Sequence, residues 1–165
     1  MATLYYAPID DSPVGPLLLA GNGDGLHALA FGAGSRPRAI DPSWRPDTGG
    51  VLTSVRNELD EYFAGKLRRF TTPVIFEGTA FQRQVWTELC RIPYGETISY
   101  MELAKRIKNP KAVRAVGLAN GANPIAIIVP CHRVIGANGS LTGFGGGIPT
   151  KRALLELEKG QRTLL

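Results

Sequence analysis

The sequence predicts an α+β protein in two parts, a small antiparallel-sheet lobe with one helix followed by a mainly helical lobe. Three observations lead there. Residues 3–31 repeat short apolar segments divided by turn residues; from residue 51 onward the apolar spacing becomes that of helices; and between Pro124 and Pro130 an apolar run delivers Cys131, His132 and Arg133 into a turn.

The sheet is read from Thr3–Ala7, Gly15–Ala20 and Leu26–Phe31, separated by Ser12-Pro13 and by Asn22-Gly23-Asp24-Gly25, which carries the dipeptide signals of a hairpin. His27 falls in the third strand and reads as an ordinary sheet histidine. Residues 32–50, rich in Gly, Pro, Ser and Arg without periodicity, read as a loop. Val51–Ala64 then sets Val51, Val55, Leu59, Tyr62 and Phe63 on one helical stripe, closed by Gly65. Residues 66–78 read as linking chain with an extended piece at Thr72–Phe76. The division expected is 1–70 for the first lobe, 71–78 for the linker and 79–165 for the second lobe.

Thr79 is the N-cap of a helix with Phe81, Val85, Trp86 and Leu89 on its buried face. Cys90 lies beside that stripe and reads as core. Pro93-Tyr94-Gly95 ends the helix. Ser99-Tyr100-Met101-Glu102 fits a capping box, opening a helix with Tyr100, Leu103, Ala104 and Ile107 inward and Lys105, Arg106 and Lys108 outside. Asn109-Pro110 predicts a second start, with a helix over Lys111–Asn120. Two short helices with basic outer faces read as a helix-turn-helix, a layout that also occurs in proteins that never touch DNA.

On the second of these helices Ala112, Ala115, Gly117 and Ala119 are small, while Lys111, Arg114 and Leu118 share a face. Small residues allow a close backbone approach, which suits a minor groove only about 6 Å wide. Arg114 is then the one long side chain able to enter the base stack. In isolation the same residue reads as a solvated arginine on an alanine-rich helix.

Ile125–Val129 reads as a short buried strand carrying the cysteine on a rigid stem. A thiolate is the reactive form and is favoured near positive charge or a helix N-terminus; a cysteine after an apolar run is also often just a small buried hydrophobe. Residues 136–147 form a glycine-rich loop lacking the Gly-Lys-Ser/Thr ending of a P-loop, so nucleoside triphosphates are not implied. The last helix, Thr150–Lys159, turns Leu154, Leu155 and Glu158 inward and Glu156 outward. A carboxylate on a buried stripe needs a partner, and His132 is the unassigned one.

Bulk properties narrow the function. The chain has 165 residues and a net charge of +5, spread unevenly: residues 1–70 hold seven Lys/Arg against eight Asp/Glu, and residues 71–165 hold twelve against six. That asymmetry suggests a polyanion footprint on the second lobe. No apolar run approaches the length of a membrane span, and no leader-like N-terminus is present, so a cytoplasmic protein without a membrane partner is expected. Two cysteines and two histidines at scattered spacing do not make a structural zinc site, so no metal and no cofactor are expected.

Tyr100 and Arg114 on the helix pair, Asn123-Pro124, Pro130-Cys131-His132-Arg133, the glycine loop and Glu158 together resemble the O6-alkylguanine-DNA alkyltransferases, continuously from about residue 79 to 159. The N-terminal lobe is similar to the bacterial members. The resemblance implies DNA repair by stoichiometric, irreversible transfer of an alkyl group from O6-alkylguanine, and from O4-alkylthymine, to Cys131 after base flipping. It implies that His132 helps to deprotonate Cys131 through a water, that Glu158 orients the imidazole, and that Tyr100 contacts the flipped nucleotide and assists the leaving guanine. Arg114 matches the finger that fills the vacated place in the duplex, and Asn123 the hinge between the DNA-binding helices and the site. Lys111, Ala115 and Arg133 join them as DNA contacts. Backbone groups of Cys131, Val134 and Gly145 correspond to those that read the guanine edge, with Phe144 beside them where many relatives carry tyrosine. The expected partner is double-stranded DNA, met through its minor groove by a monomer.

A non-catalytic lesion-binding protein of similar shape is the first alternative, and the cysteine argues against it. A cysteine hydrolase built on Cys, His and Glu is the second, distinguished by multiple turnovers on an ester.

Overall fold

A computed structural model describes residues 2–32 and 39–160. Strands β1 (Tyr5–Ile9), β2 (Leu17–Asn22) and β3 (Gly25–Phe31) form the expected antiparallel sheet, with Tyr5 opposite Gly21 and Leu17 opposite Phe31. The sheet has a fourth strand that the sequence conceals. Arg45–Pro46 (β4), inside the stretch that reads as loop, pairs in parallel with β1, giving the order β3-β2-β1-β4. Two residues carry no alternation to detect, and proline is tolerated at such an edge. Part of the predicted loop, residues 33–38, lies outside the described residues.

Helix α1 (Thr53–Phe63) buries Val55, Leu59, Tyr62 and Phe63. Val51 is exposed and Leu52 takes the core position instead, because the chain enters the helix through Asp47, whose carboxylate accepts the N–H groups of Val51 and Leu52 at 2.9 and 2.8 Å. Helix α2 (Ala80–Leu89) starts at Thr79 with a reciprocal capping box to Gln82. Cys90, expected in the core, is exposed at the end of α2.

Helix α3 (Tyr100–Arg106) is capped by Ser99, which accepts the Glu102 N–H. The carboxylate of Glu102 turns to Arg106 at 3.3 Å instead of closing the box. Helix α4 runs over Val113–Gly121, later than predicted. Asn109-Pro110 makes a preceding turn in which Ala112 N–H donates to Asn109 O at 3.0 Å, so Lys111 sits before the helix. The Trp86 indole N–H donates to Ala119 O at 2.8 Å, satisfying a buried carbonyl near the end of α4 and locking it onto α2.

The largest departure concerns Ile125–Val129. This run is a tight buried turn that pairs with the sheet through the bridge between Ile125 and Leu29. Val129 N–H donates to Ile125 O and Ile128 N–H to Ala126 O, while Ile127 sits at φ 70°, rare for a β-branched residue. Apolar content reports burial correctly; it cannot report that the backbone satisfies itself locally instead of in a ladder. A single 3-10 turn, Cys131–Arg133, follows; β5 (Ile98–Ser99), which precedes α3, then pairs in parallel with β6 (Val134–Ile135). Helix α5 (Ile148–Glu158) closes the described fold.

One apolar core runs through both lobes, from Leu17, Leu29 and Tyr62 through Trp86 and Val129 to Leu154. The edge of β3 is covered from two sides. Leu26 exchanges backbone bonds with Pro73 and Ile75 of the linking chain, and Leu29 with Pro124 and Ala126 before the cysteine turn. The sheet thereby fixes where the cysteine turn stands.

Candidate active site

The buried stripe of α5 brings Glu158 beneath the 3-10 turn, and the carboxylate becomes a hub. Its Oε2 accepts from His132 Nε2 at 2.7 Å, from the Tyr62 hydroxyl at 2.6 Å and from Arg133 Nη2 at 3.0 Å; Oε1 accepts from Arg133 Nε at 2.8 Å and from Gly95 N–H at 3.3 Å. Burial alone would raise the Glu158 pKa, but hydrogen bonds from His132 and Arg133 and the guanidinium charge outweigh it and hold the group far below the ordinary carboxylate range. Burial pushes His132 the other way, below the usual imidazole value, with the carboxylate only partly opposing. The pair is therefore carboxylate plus neutral imidazole near pH 7.

With Nε2 committed to Glu158, the other ring nitrogen of His132 is buried and has no hydrogen-bond partner in the structure. A neutral imidazole tied at one nitrogen to a carboxylate presents a basic lone pair at the other. Cys131 is the preceding residue and opens onto a cavity of about 250 Å³ lined also by Phe31, Asn123, Ala126, Phe144 and Gly145. Burial raises the Cys131 thiol above its ordinary pKa, opposed by the Asn123 amide and the Lys151 ammonium. The Asn123 amide is otherwise spent on the turn, donating to Val129 O at 2.8 Å and accepting from Ile125 N–H at 3.0 Å.

Several expected positions change meaning. Arg133, expected among the DNA contacts, is buried; its guanidinium grips Glu158 and Ile92 O (2.7 Å) and lies over the Tyr94 ring, so it is not free to meet a phosphate. Asn123 is half-buried on the cavity wall, and one N–H and one oxygen lone pair of its amide are engaged by the turn. Val134 is wholly buried and off the cavity wall, and its carbonyl accepts from Lys151. Tyr100 is half-buried on α3 and meets the glycine loop by accepting from the Thr142 hydroxyl at 3.4 Å. Phe144 and Gly145 do line the cavity. Arg114, Ala115 and Lys111 are exposed, and Arg114 forms no hydrogen bond or ion pair with a described residue. Glu156 is half-buried.

Two residues of the site escape the sequence reading. Tyr62 passes for apolar core on its stripe, although a buried phenol needs a partner. Lys151 attracts no role, although it precedes Leu154, Leu155 and Glu158 at helical spacing on the same stripe. It is fully buried, and its Nζ donates to Val134 O at 2.7 Å and Thr142 O at 3.1 Å, tying the glycine loop to β6. That loop needs its glycines where it crosses the sheet: a Cβ on Gly146 would stand 2.7 Å from the Phe31 ring, which itself packs on Phe144 at 5.4 Å. Lys151→Met keeps the length and removes the charge. We expect Cys131 to react with iodoacetamide on the order of tenfold more slowly at pH 7.5, with stability lower by about 1–3 kcal/mol because the buried Val134 carbonyl and the part-buried Thr142 carbonyl lose their donor. An unchanged thiol reactivity would deny Lys151 an electrostatic part.

Among the described residues no three His, Cys, Asp or Glu side chains gather as a metal-binding group, and no helix is long and apolar enough to cross a membrane.

A buried carboxylate–imidazole pair behind a cysteine that faces a cavity defines a protein of the cysteine-nucleophile class, here on a fold with a basic helix pair alongside. The particular family follows from comparison with known proteins. Residues 3–76 match the family model described as the 6-O-methylguanine DNA methyltransferase ribonuclease-like domain, and residues 80–160 the model described as its DNA binding domain. The chain belongs to this family. It is 55% identical over 161 residues to the methylated-DNA–protein-cysteine methyltransferase of Mycobacterium bovis, covering 96% of this chain and 94% of that one. It is 52% identical to the protein of the same name from Methanosarcina acetivorans, covering 94% and 98%. Among solved structures, Mycobacterium tuberculosis OGT in complex with DNA superposes with a TM-score of 0.89 at 53% identity, covering 96% of this chain and 95% of that one.

Proposed function

We propose that the protein repairs DNA by moving the alkyl group of O6-alkylguanine, and of O4-alkylthymine, onto Cys131 in a single irreversible turnover. The observation that carries this reading is the Glu158–His132 pair, which leaves one nitrogen of the imidazole without a partner on the residue that follows a cysteine facing a cavity. At about 250 Å³ the cavity is smaller than the ~300–1,000 Å³ of drug-sized pockets and suits a single base.

In this mechanism His132 takes the Cys131 proton through a water, and Glu158 stabilises the imidazolium that results. The thiolate attacks the alkyl carbon, an S–C bond forms as the C–O bond breaks, and guanine leaves with the electron pair on O6 and regains a proton. Tyr100 assists that leaving group. The product is a thioether, and no group beside it offers a route back to the thiol. The backbones of Cys131 and Gly145 read the base edge, and Phe144 packs beside the base. Asn123 acts as the hinge of the turn. The partner is duplex DNA entered from the minor groove by a monomer in the cytoplasm, with Lys111, Arg114 and Ala115 on the contacting surface.

The test is mass spectrometry of peptides after incubation with an O6-methylguanine duplex. One added methyl on the Cys131 peptide, saturating at one equivalent, is expected; its absence removes the proposal. Because extruding a base costs a few kcal/mol that an inserted side chain offsets, Arg114→Ala should slow repair of the duplex by about ten- to a hundredfold and leave reaction with free O6-benzylguanine within about twofold of wild type. Equal losses on both substrates would remove the finger assignment.

A further inference from the structure

We infer that Tyr62, from helix α1 of the N-terminal lobe, is a positioning residue of the reaction centre: its hydroxyl holds Glu158 Oε2 in line with His132 Nε2. The inference rests on the proposed role of His132 as the base for Cys131. Tyr62 lies 96 positions from Glu158 in sequence, yet it donates at 2.6 Å to the same oxygen that accepts from His132 at 2.7 Å.

The geometry is built for this contact. Tyr62 is fully buried, its ring fixed edge-on to Phe63 at 5.6 Å and Tyr94 at 6.3 Å and tilted against Phe70 at 5.4 Å. The hydroxyl therefore has one direction to point. A carboxylate shared among several donors leaves less charge for any one of them, so the phenol sets how strongly Glu158 attracts a proton on the imidazole. The phenol itself stays protonated, since burial first and the neighbouring carboxylate second push its pKa well above the ordinary value. The other charged or titratable groups around this centre are Arg133 from the cysteine turn, Lys151 from α5, Tyr94 from the turn after α2, with Arg68 over its ring, and Cys131 itself. None of them is altered by removing the Tyr62 oxygen.

Tyr62→Phe keeps the ring and deletes the donor. Glu158 Oε2 then turns more of its charge on His132, favouring the imidazolium. The alkylation rate of Cys131 by O6-benzylguanine falls at low pH as His132 becomes protonated; in Tyr62→Phe that acid limb is expected to move upward by about half a pH unit or more, with the plateau rate lower on the order of tenfold. Phe70→Leu, which loosens the same packing without touching the hydroxyl, is the control and is expected to lower Tm with no movement of the limb. A Tyr62→Phe limb that coincides with wild type, or one that Phe70→Leu moves equally, overturns the inference. Wild-type protein that never alkylates at Cys131 would fail the proposed function instead, so the two outcomes are separable.

Discussion

Glu158→Gln is expected to unfold at markedly lower denaturant and to lose nearly all alkyl transfer. The carboxylate serves the Tyr62 hydroxyl, the His132 imidazole, the Arg133 guanidinium and the Gly95 N–H at once. An amide of the same shape must turn an NH₂ toward one of these donors, and it leaves the buried Arg133 cation without its counter-charge. Breaking a buried ion pair from one side costs about 3–5 kcal/mol. The sequence alone suggests a slower reaction with lesion binding largely intact; the hub adds a stability loss of the size just given. The pH dependence has a definite sign. Because the folded carboxyl lies far below its unfolded value, Glu158 stabilises the protein fully above about pH 4.5 and progressively less as pH falls below it. Denaturation measured between about pH 3 and 7 should show that slope in wild type and a flatter one in Glu158→Gln. Equal slopes, with unchanged transfer kinetics, would take Glu158 out of both roles.

Cys131→Ala is expected to abolish alkyl transfer while leaving the fold and the binding of alkylated duplex in place. The Cys131 sulfur faces a cavity and takes only weak hydrogen bonds, from the Asn123 amide and from its own and the His132 backbone, so deleting it should cost about 1 kcal/mol. Fluorescence anisotropy with an O6-methylguanine duplex reads binding, and peptide mass reads transfer. The informative failure is a methyl on Cys90, the other thiol. It is exposed at the end of α2, but partial desolvation holds its pKa above the ordinary value, with Arg133 only partly countering, and no imidazole serves it. Methyl transfer to Cys90 at the wild-type rate would mean that the chemistry does not depend on the Glu158–His132 pair.

Legibility from sequence follows the kind of force at work. The helical stripes of α1, α2 and α5 are readable because burial repeats at 3.6 residues, and the same periodicity alone turns Glu158 inward and leaves His132 as its partner. Arg133 misleads because resemblance places it among the DNA contacts; that it lies over Tyr94 and reaches Glu158 is decided by tertiary packing alone. Tyr62 and Lys151 each lie on a legible stripe, one taken for its ring and the other passed over for its charge, and asking where a buried phenol or ammonium finds its partner singles out both. The cysteine turn misleads for a different reason. Ile125–Val129 has the composition of a strand, but local backbone bonds and the side-chain amide of Asn123, bonded to Ile125 and Val129, fold it back on itself.

Glu158 ends α5, whereas the tyrosine it binds belongs to α1 and the histidine to the cysteine turn between them. During synthesis the cysteine emerges before the acid that binds its neighbour, and a polypeptide cut short between positions 133 and 158 would carry Cys131 beside a histidine without its carboxylate. Under the proposed mechanism such a copy is expected to transfer alkyl groups far more slowly than one that reaches Glu158.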